Sequence, residues 1–255
     1  MNRSAAIEVD AGGPVARITL AAPDRRNALT RTDIAALSAA LTGIAKDGQT
    51  RAVVLTGTGT VFSAGVSLGD VAGSDWTENP LTALCDTIEQ IPQPVVAALN
   101  GGVYGGAVEI ALACDFRIGV PEMALRVPPA ALGIHYAPEG LGRVASRLGL
   151  QTAKRLFLRA ETLKGAAALC GVGFLDAVAD PADTLLDRAD EMAREIAALA
   201  PLAVAGMKRT LNEIGAGTLD RAAADERVAT CWASADLREG LAAQAEKRKP
   251  VFQGR

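Results

Sequence analysis

Aromatic side chains make up only 4% of this 255-residue chain, and histidine occurs once, at His135. Such scarcity argues against a base-stacking platform for single-stranded nucleic acid. Charge argues the same way: the net charge is −3 and there is no long basic run, so no nucleic-acid partner is expected. The four cysteines, Cys85, Cys114, Cys170 and Cys231, form no C-x-x-C pair. With a single histidine beside them, the usual ligand spacings are missing and no metal site is expected. Unpaired thiols fit a reducing compartment, which makes a cytoplasmic location the expectation. Long apolar runs are lacking too. The most apolar stretch, PVVAALNGGVYGGAVEIALAC (94–114), is interrupted by Asn100, by glycines and by Glu109, and the N-terminus MNRSAAIEVD has no apolar signal core. No membrane span is expected.

What the chain does contain is 49% hydrophobic residues, many of them alanine. Its length suits one large domain, or one domain with an appendage. Residues 5–9 and 15–20 read as strands joined by a Gly12-Gly13-Pro14 turn. Thr30 and Asp33 form a capping-box pattern, followed by Ile34, Leu37, Leu41 and Ile44 at helical spacing until Gly48. Residues 52–55, 95–99 and 115–120 read as strands, and 81–91 and 107–114 as helices. Between them, 57–69 and 101–106 read as glycine loops, with a poor helix start after Ser67. This alternation indicates an α/β architecture. From Gln151 onward the strand signal fades. Residues 181–199, 201–214, 218–232 and 236–249 read as helices, the last capped by Asp236 with Glu239. The expected division is an α/β core over 1–198 and a helical oligomerisation or lid region over 199–255.

Three chemistries compete for the glycine loops. VVLTGTGTVF puts glycines at 57 and 59 after a strand, yet a dinucleotide fingerprint needs its third glycine where Phe62 stands. GVSLG (65–69) matches the G-x-S-x-G nucleophile elbow, with Ser67 as nucleophile. Its base would have to be His135, with Asp115 forced into the third role. The remaining chemistry uses the backbone. Each glycine loop follows a buried strand, and the second opens onto a helix, where free amides and a positive dipole end lie. Two such amides converging on one oxygen make an oxyanion hole, and a thioester carbonyl is a natural client. The structural alternative is a pair of tight loops in an α/β fold.

The motifs also resemble the crotonase (enoyl-CoA hydratase/isomerase) superfamily, over nearly the whole length. ITLAAPDRRNAL (18–29) resembles its strand and R-N-A-L segment, RAVVLTGTGTVFSAG (51–65) its first oxyanion loop, PVVAALNGGVYGGAVEIALACD (94–115) its second, and EKRKPVFQGR (246–255) its ending. The resemblance implies a spiral of β-β-α units with a C-terminal helical region that mediates trimers, often as a dimer of trimers. It implies an acyl-CoA thioester as substrate, with no cofactor beyond the CoA that the substrate carries. Val66 and Gly106 take the positions of the oxyanion amides. Ala28 and Ala64 take those that meet the adenine end through backbone, Arg26 one near the phosphates, and Leu68 one beside the substrate. Lys249 and Phe252 are implied to cover CoA from the tail, on the same or a neighbouring subunit.

Hydratases of this superfamily use two glutamates, one to activate water and one to protonate the α-carbon. Glu109 matches the first, while Pro129 stands at the second and has no proton to give. His135, Tyr136 and Glu139 cluster just downstream as substitutes; imidazole is a ready acid or base near neutral pH. GGVYGGAVE and VPPAALGIHY are also similar to methylmalonyl-CoA decarboxylase, a member with a tyrosine where Tyr136 stands and a histidine where Val66 stands. Decarboxylation releases an enolate without needing a base. The expectation is therefore an enoyl-CoA hydratase-type lyase that stabilises a thioester enolate. Isomerisation, decarboxylation or non-catalytic acyl-CoA binding are the alternatives.

Overall fold

The computed structural model describes residues 6–73 and 79–255. Ala5, the expected start of the first strand, lies outside them. The chain opens with an antiparallel hairpin, β1 (Ile7–Asp10) and β2 (Val15–Leu20). In α1 (Arg31–Lys46) the Thr30 side chain accepts from the Asp33 amide and Asp33 accepts from the Thr30 amide, completing the capping box. Ile34, Leu37, Leu41 and Ile44 then fall on one buried face.

Three successive segments repeat one pattern: a buried strand in a large sheet, a short strand in a small sheet, then helix. The first comprises β3 (Ala52–Gly57), β4 (Val61–Ser63), α2 (Leu68–Gly73) and α3 (Pro80–Gln90). The second comprises β5 (Val95–Leu99), β6 (Gly102–Tyr104) and α4 (Gly106–Ala113). The third comprises β7 (Phe116–Gly119), β8 (Ala124–Arg126), a 3-10 turn (Pro129–Leu132) and α5 (Pro138–Leu148). After α6 (Leu150–Leu158), β9 (Thr162–Lys164), α7 (Ala166–Gly171) and β10 (Ala177–Val178), the large sheet has the order β1-β2-β3-β5-β7-β10 and the small one β4-β6-β8-β9. All pairings are parallel except β1 with β2 and β8 with β9. This is the expected α/β spiral of β-β-α units. Strands buried on both faces must be apolar throughout, and β5 (VVAAL) is fully buried from end to end. The helix α4 is likewise buried along its whole length, Glu109 included.

Periodicity misses five short strands: β4 and β6 inside the glycine loops, then β8, β9 and β10. Segments of two or three residues are too short for alternation to register. A helix does begin after Ser67, where a poor start was expected: the Asp70 amide donates to the Ser67 carbonyl at 3.1 Å and opens α2.

The chain ends in α8 (Leu185–Ala197), α9 (Pro201–Ala216), α10 (Arg221–Ala233) and α11 (Ala235–Ala245). Buried Lys208 of α9 pairs with Asp115 at 2.8 Å and donates to the Ile88 and Gln93 carbonyls, pinning these helices to the core. The α11 cap is Ser234, which accepts from the Leu237 amide, and not Asp236 as expected. Asp236 lies inside the helix and accepts from the Gln253 and Gly254 amides, holding the tail. Among the described residues no helix is long and apolar enough to cross a membrane.

Candidate active site

Asn27 organises the first glycine loop. It is buried and sits in the left-handed region at φ 53°, which asparagine tolerates better than most residues. Its side-chain nitrogen donates to the Thr58, Val61 and Phe62 carbonyls, and its side-chain oxygen accepts from the Ala22 amide. Ser63 donates to the Asn27 carbonyl at 2.7 Å and accepts from the Gly65 amide at 3.0 Å. Leu29 then bridges the loop: its amide donates to the Gly65 carbonyl and its carbonyl accepts from the Ser67 amide. That parallel bridge leaves the intervening Val66 N–H without a backbone acceptor among the described residues.

Gly106 opens α4, so its N–H has no intrahelical acceptor, and no side chain caps the helix. The two loops touch here. Gly65 has φ +86°, and a β-carbon on it would stand 2.6 Å from the Tyr104 carbonyl oxygen and 2.8 Å from the Gly106 nitrogen. A β-carbon at Gly106 would stand 2.7 Å from Leu81 and 3.2 Å from Val66. At Gly65, where the crowding atoms are backbone and φ is positive, only glycine permits this approach; at Gly106 the neighbours are side-chain ends. Val66 and Gly106 both line a cavity of about 960 Å³. Two unused amides, with a helix N-terminus behind one of them, suit an oxygen that gains negative charge.

The cavity brings together Arg26, Ala64 and Leu68 with Pro129, His135, Tyr136 and Glu139. Glu109, Ala28, Lys249 and Phe252 do not line it, nor does Ser67. Phe252 instead lines a smaller cavity of about 240 Å³ among the C-terminal helices, and its carbonyl accepts from Arg51.

Glu109 is fully buried one turn into α4. Arg143 donates to its Oε1 at 2.5 Å, and the Tyr136 hydroxyl donates to its Oε2 at 3.0 Å. A β-carbon at Gly140 would stand 2.4 Å from the Tyr136 ring and 2.7 Å from Glu109 Oε2, so α5 closes over this carboxylate. Tyr136 lines the cavity and Glu109 does not; the Tyr136 hydroxyl stands between the Glu109 carboxylate and the lining. The rest of the Arg143 fork reaches Glu89 at 3.0 Å and Asp86 at 2.8 Å, so one guanidinium serves three carboxylates. Burial pushes the Glu109 carboxyl above its usual range, and Arg143 and Tyr136 pull it back only in part. Burial, then the Glu109 charge, push the Tyr136 hydroxyl well above its ordinary value, so it stays protonated.

His135 is exposed, and its Nδ1–H donates to the Tyr136 carbonyl at 2.8 Å, which leaves Nε2 as the acceptor in the neutral ring. Glu139 lies in the first turn of α5, exposed on the cavity wall, with no partner among the described residues. Among those residues no cluster of side chains fit to hold a metal occurs. Three functional supports escaped the sequence. Asn27 and Ser63 stand in plain view inside noted motifs, whereas Arg143 carries no local signal because its partner is 34 positions away.

A profile of the enoyl-CoA hydratase/isomerase family matches residues 10–255. The probable enoyl-CoA hydratase echA6 of Mycobacterium tuberculosis is 37% identical over 241 residues, covering 94% of this chain and 96% of that protein. The short-chain-enoyl-CoA hydratase of Clostridium acetobutylicum is 31% identical over 245 residues, covering 93% of each chain. The crystal structure of an enoyl-CoA hydratase from Bacillus anthracis matches with a TM-score of 0.87 at 31% identity, covering 98% of this chain and 100% of that one.

Proposed function

Since the chain belongs to the enoyl-CoA hydratase/isomerase family, we propose that it hydrates a 2-enoyl-CoA whose thioester oxygen rests between the amides of Val66 and Gly106. The observation that carries this reading is the meeting of two glycine loops on one large cavity, with both amides unused by the backbone. Addition of water at the β-carbon drives negative charge onto the thioester oxygen. Donors fixed where that charge develops lower the barrier without reorganising.

Proton transfer falls to Glu139. Pro129 has no proton to give, and Glu109 lies behind Tyr136, whereas Glu139 is a free carboxylate on the cavity wall. It takes a proton from the adding water and returns one to the α-carbon, so one group serves both ends of the addition. Glu109 is a positioning residue that fixes Tyr136. Glu139→Gln therefore lowers kcat for crotonyl-CoA by about 10²–10⁴-fold. Glu109→Gln leaves kcat within about tenfold, because Glu89 and Asp86 still hold Arg143. The reverse ranking would place Glu109 at the substrate and withdraw the role given to Glu139.

A second reading has its own observation. Pro129 and the Arg143-bound Glu109 leave both positions of the superfamily's glutamate pair without a free acid or base. On this reading the chain binds acyl-CoA without turning it over. Tight binding with no turnover, unchanged in Glu139→Gln, selects the binder.

A homotrimer or dimer of trimers is supported by Met207, Leu211, Ile214, Val228 and Trp232, all exposed along α9 and α10 of the single subunit. A cytoplasmic location is supported by four unpaired cysteines, two of them buried.

A further inference from the structure

Arg126 ends β8, next to Leu125, which is fully buried on the opposite face. It pairs in register with Tyr104 of the parallel neighbour β6, so the two side chains leave the small sheet on the same side. Both line the cavity that holds Val66 and Gly106. The Arg126 carbonyl accepts from the Gly105 amide at 2.9 Å, which ties its backbone to the loop that presents Gly106. The wall continuing from it is apolar: Pro128, Pro129, Leu132 and Ile134.

No side chain answers the Arg126 charge. It has no ion pair or side-chain hydrogen bond among the described residues. Of the charged groups on the described lining, Arg26 is a second cation and Glu139 the one anion. A planar guanidinium offers five donors in a fork that matches a carboxylate with two parallel bonds. Set beside an apolar wall, it favours a ligand that brings its own anion.

We propose that Arg126 selects acyl groups ending in a carboxylate, which makes the substrate class the CoA thioester of a dicarboxylic acid. This rests on the acyl-CoA reading above and adds the charge of the acyl group. The phosphates of CoA offer the same anionic chemistry, and the test separates the two sources.

The full-length protein is titrated calorimetrically with glutaryl-CoA and with pentanoyl-CoA, a neutral acyl group of equal length. Wild type binds glutaryl-CoA about tenfold or more tightly than pentanoyl-CoA, as a charge-assisted bidentate pair requires. Arg126→Gln brings the ratio of the two affinities to near unity, and Arg126→Lys restores part of it. Equal affinities in wild type overturn the proposal. So does an equal loss for both thioesters in Arg126→Gln, which would assign Arg126 to the CoA phosphates. If wild type binds neither thioester, the acyl-CoA reading falls and this one with it.

Discussion

Val66→Pro lowers kcat/KM for crotonyl-CoA by about 10²–10³-fold, while Ser67→Ala retains most of the activity. Proline has no N–H, so the substitution deletes one of the two amides offered to the thioester oxygen. The loop survives because the Leu29 bridge is built from the amides of Leu29 and Ser67, and the Val66 N–H takes no part in it. Circular dichroism of the variant therefore matches wild type. Ser67 has part of the context of a nucleophile elbow, since α2 begins directly after it. It nevertheless lies off the cavity wall that carries His135, the one imidazole in the chain. A dead Ser67→Ala beside an active Val66→Pro would revive the serine nucleophile and end the oxyanion assignment.

Arg143→Met destabilises the fold by about 3–5 kcal/mol, because it leaves a buried carboxylate without its counter-charge. Glu109 has no solvent-accessible surface in which to shed that charge. The loss corresponds to a fall in Tm of about 6–20 °C for a domain of this size. Glu89 and Asp86 keep partial contact with water and bear less of the cost. The effect has a defined pH dependence. Burial already raises the folded-state pKa of Glu109, with Arg143 as the largest opposing influence. Without Arg143 it rises further. A carboxyl with a raised folded pKa stabilises the fold fully below its unfolded value, about 4.3, and that contribution is lost as pH rises through the folded value. The gap between variant and wild type is therefore smallest near pH 4–5 and widens toward neutrality. A gap equal at all pH values would trace the loss to packing. The pair Arg143→Met with Glu109→Leu recovers most of the stability, since it removes both charges together.

Long buried strands were legible because an apolar run such as VVAAL has one stable place in an α/β fold. The first helix was legible because its cap and its 3.6-residue period agree. Segments of two or three residues carry no period, so half of the strands and the whole small sheet stayed hidden. That sheet is what carries Tyr104 and Arg126 to the cavity. Val66, Gly106, Tyr136 and Glu139 are put forward by the family resemblance, and the structure brings all four to the lining of one cavity. Burial behind Tyr136 was not legible for Glu109, because it depends on Arg143 and Gly140, contacts between α4 and α5 that no local spacing encodes. The tail residues Lys249 and Phe252 do not line the Val66 cavity of their own chain, where Asp236 and Arg51 hold their segment.

If the amides of Val66 and Gly106 grip the thioester oxygen, vibrational spectroscopy reads that grip directly. A saturated acyl-CoA, carbon-13 labelled at the thioester carbonyl, is bound to wild type and to Val66→Pro, and the carbonyl stretch is recorded by difference infrared. Two fixed donors polarise the carbonyl more than mobile water does. The stretch in wild type is therefore lower than for the same thioester free in water, and it moves back toward the free value in Val66→Pro. A stretch in wild type at the free value would mean that the two amides do not hold the thioester oxygen.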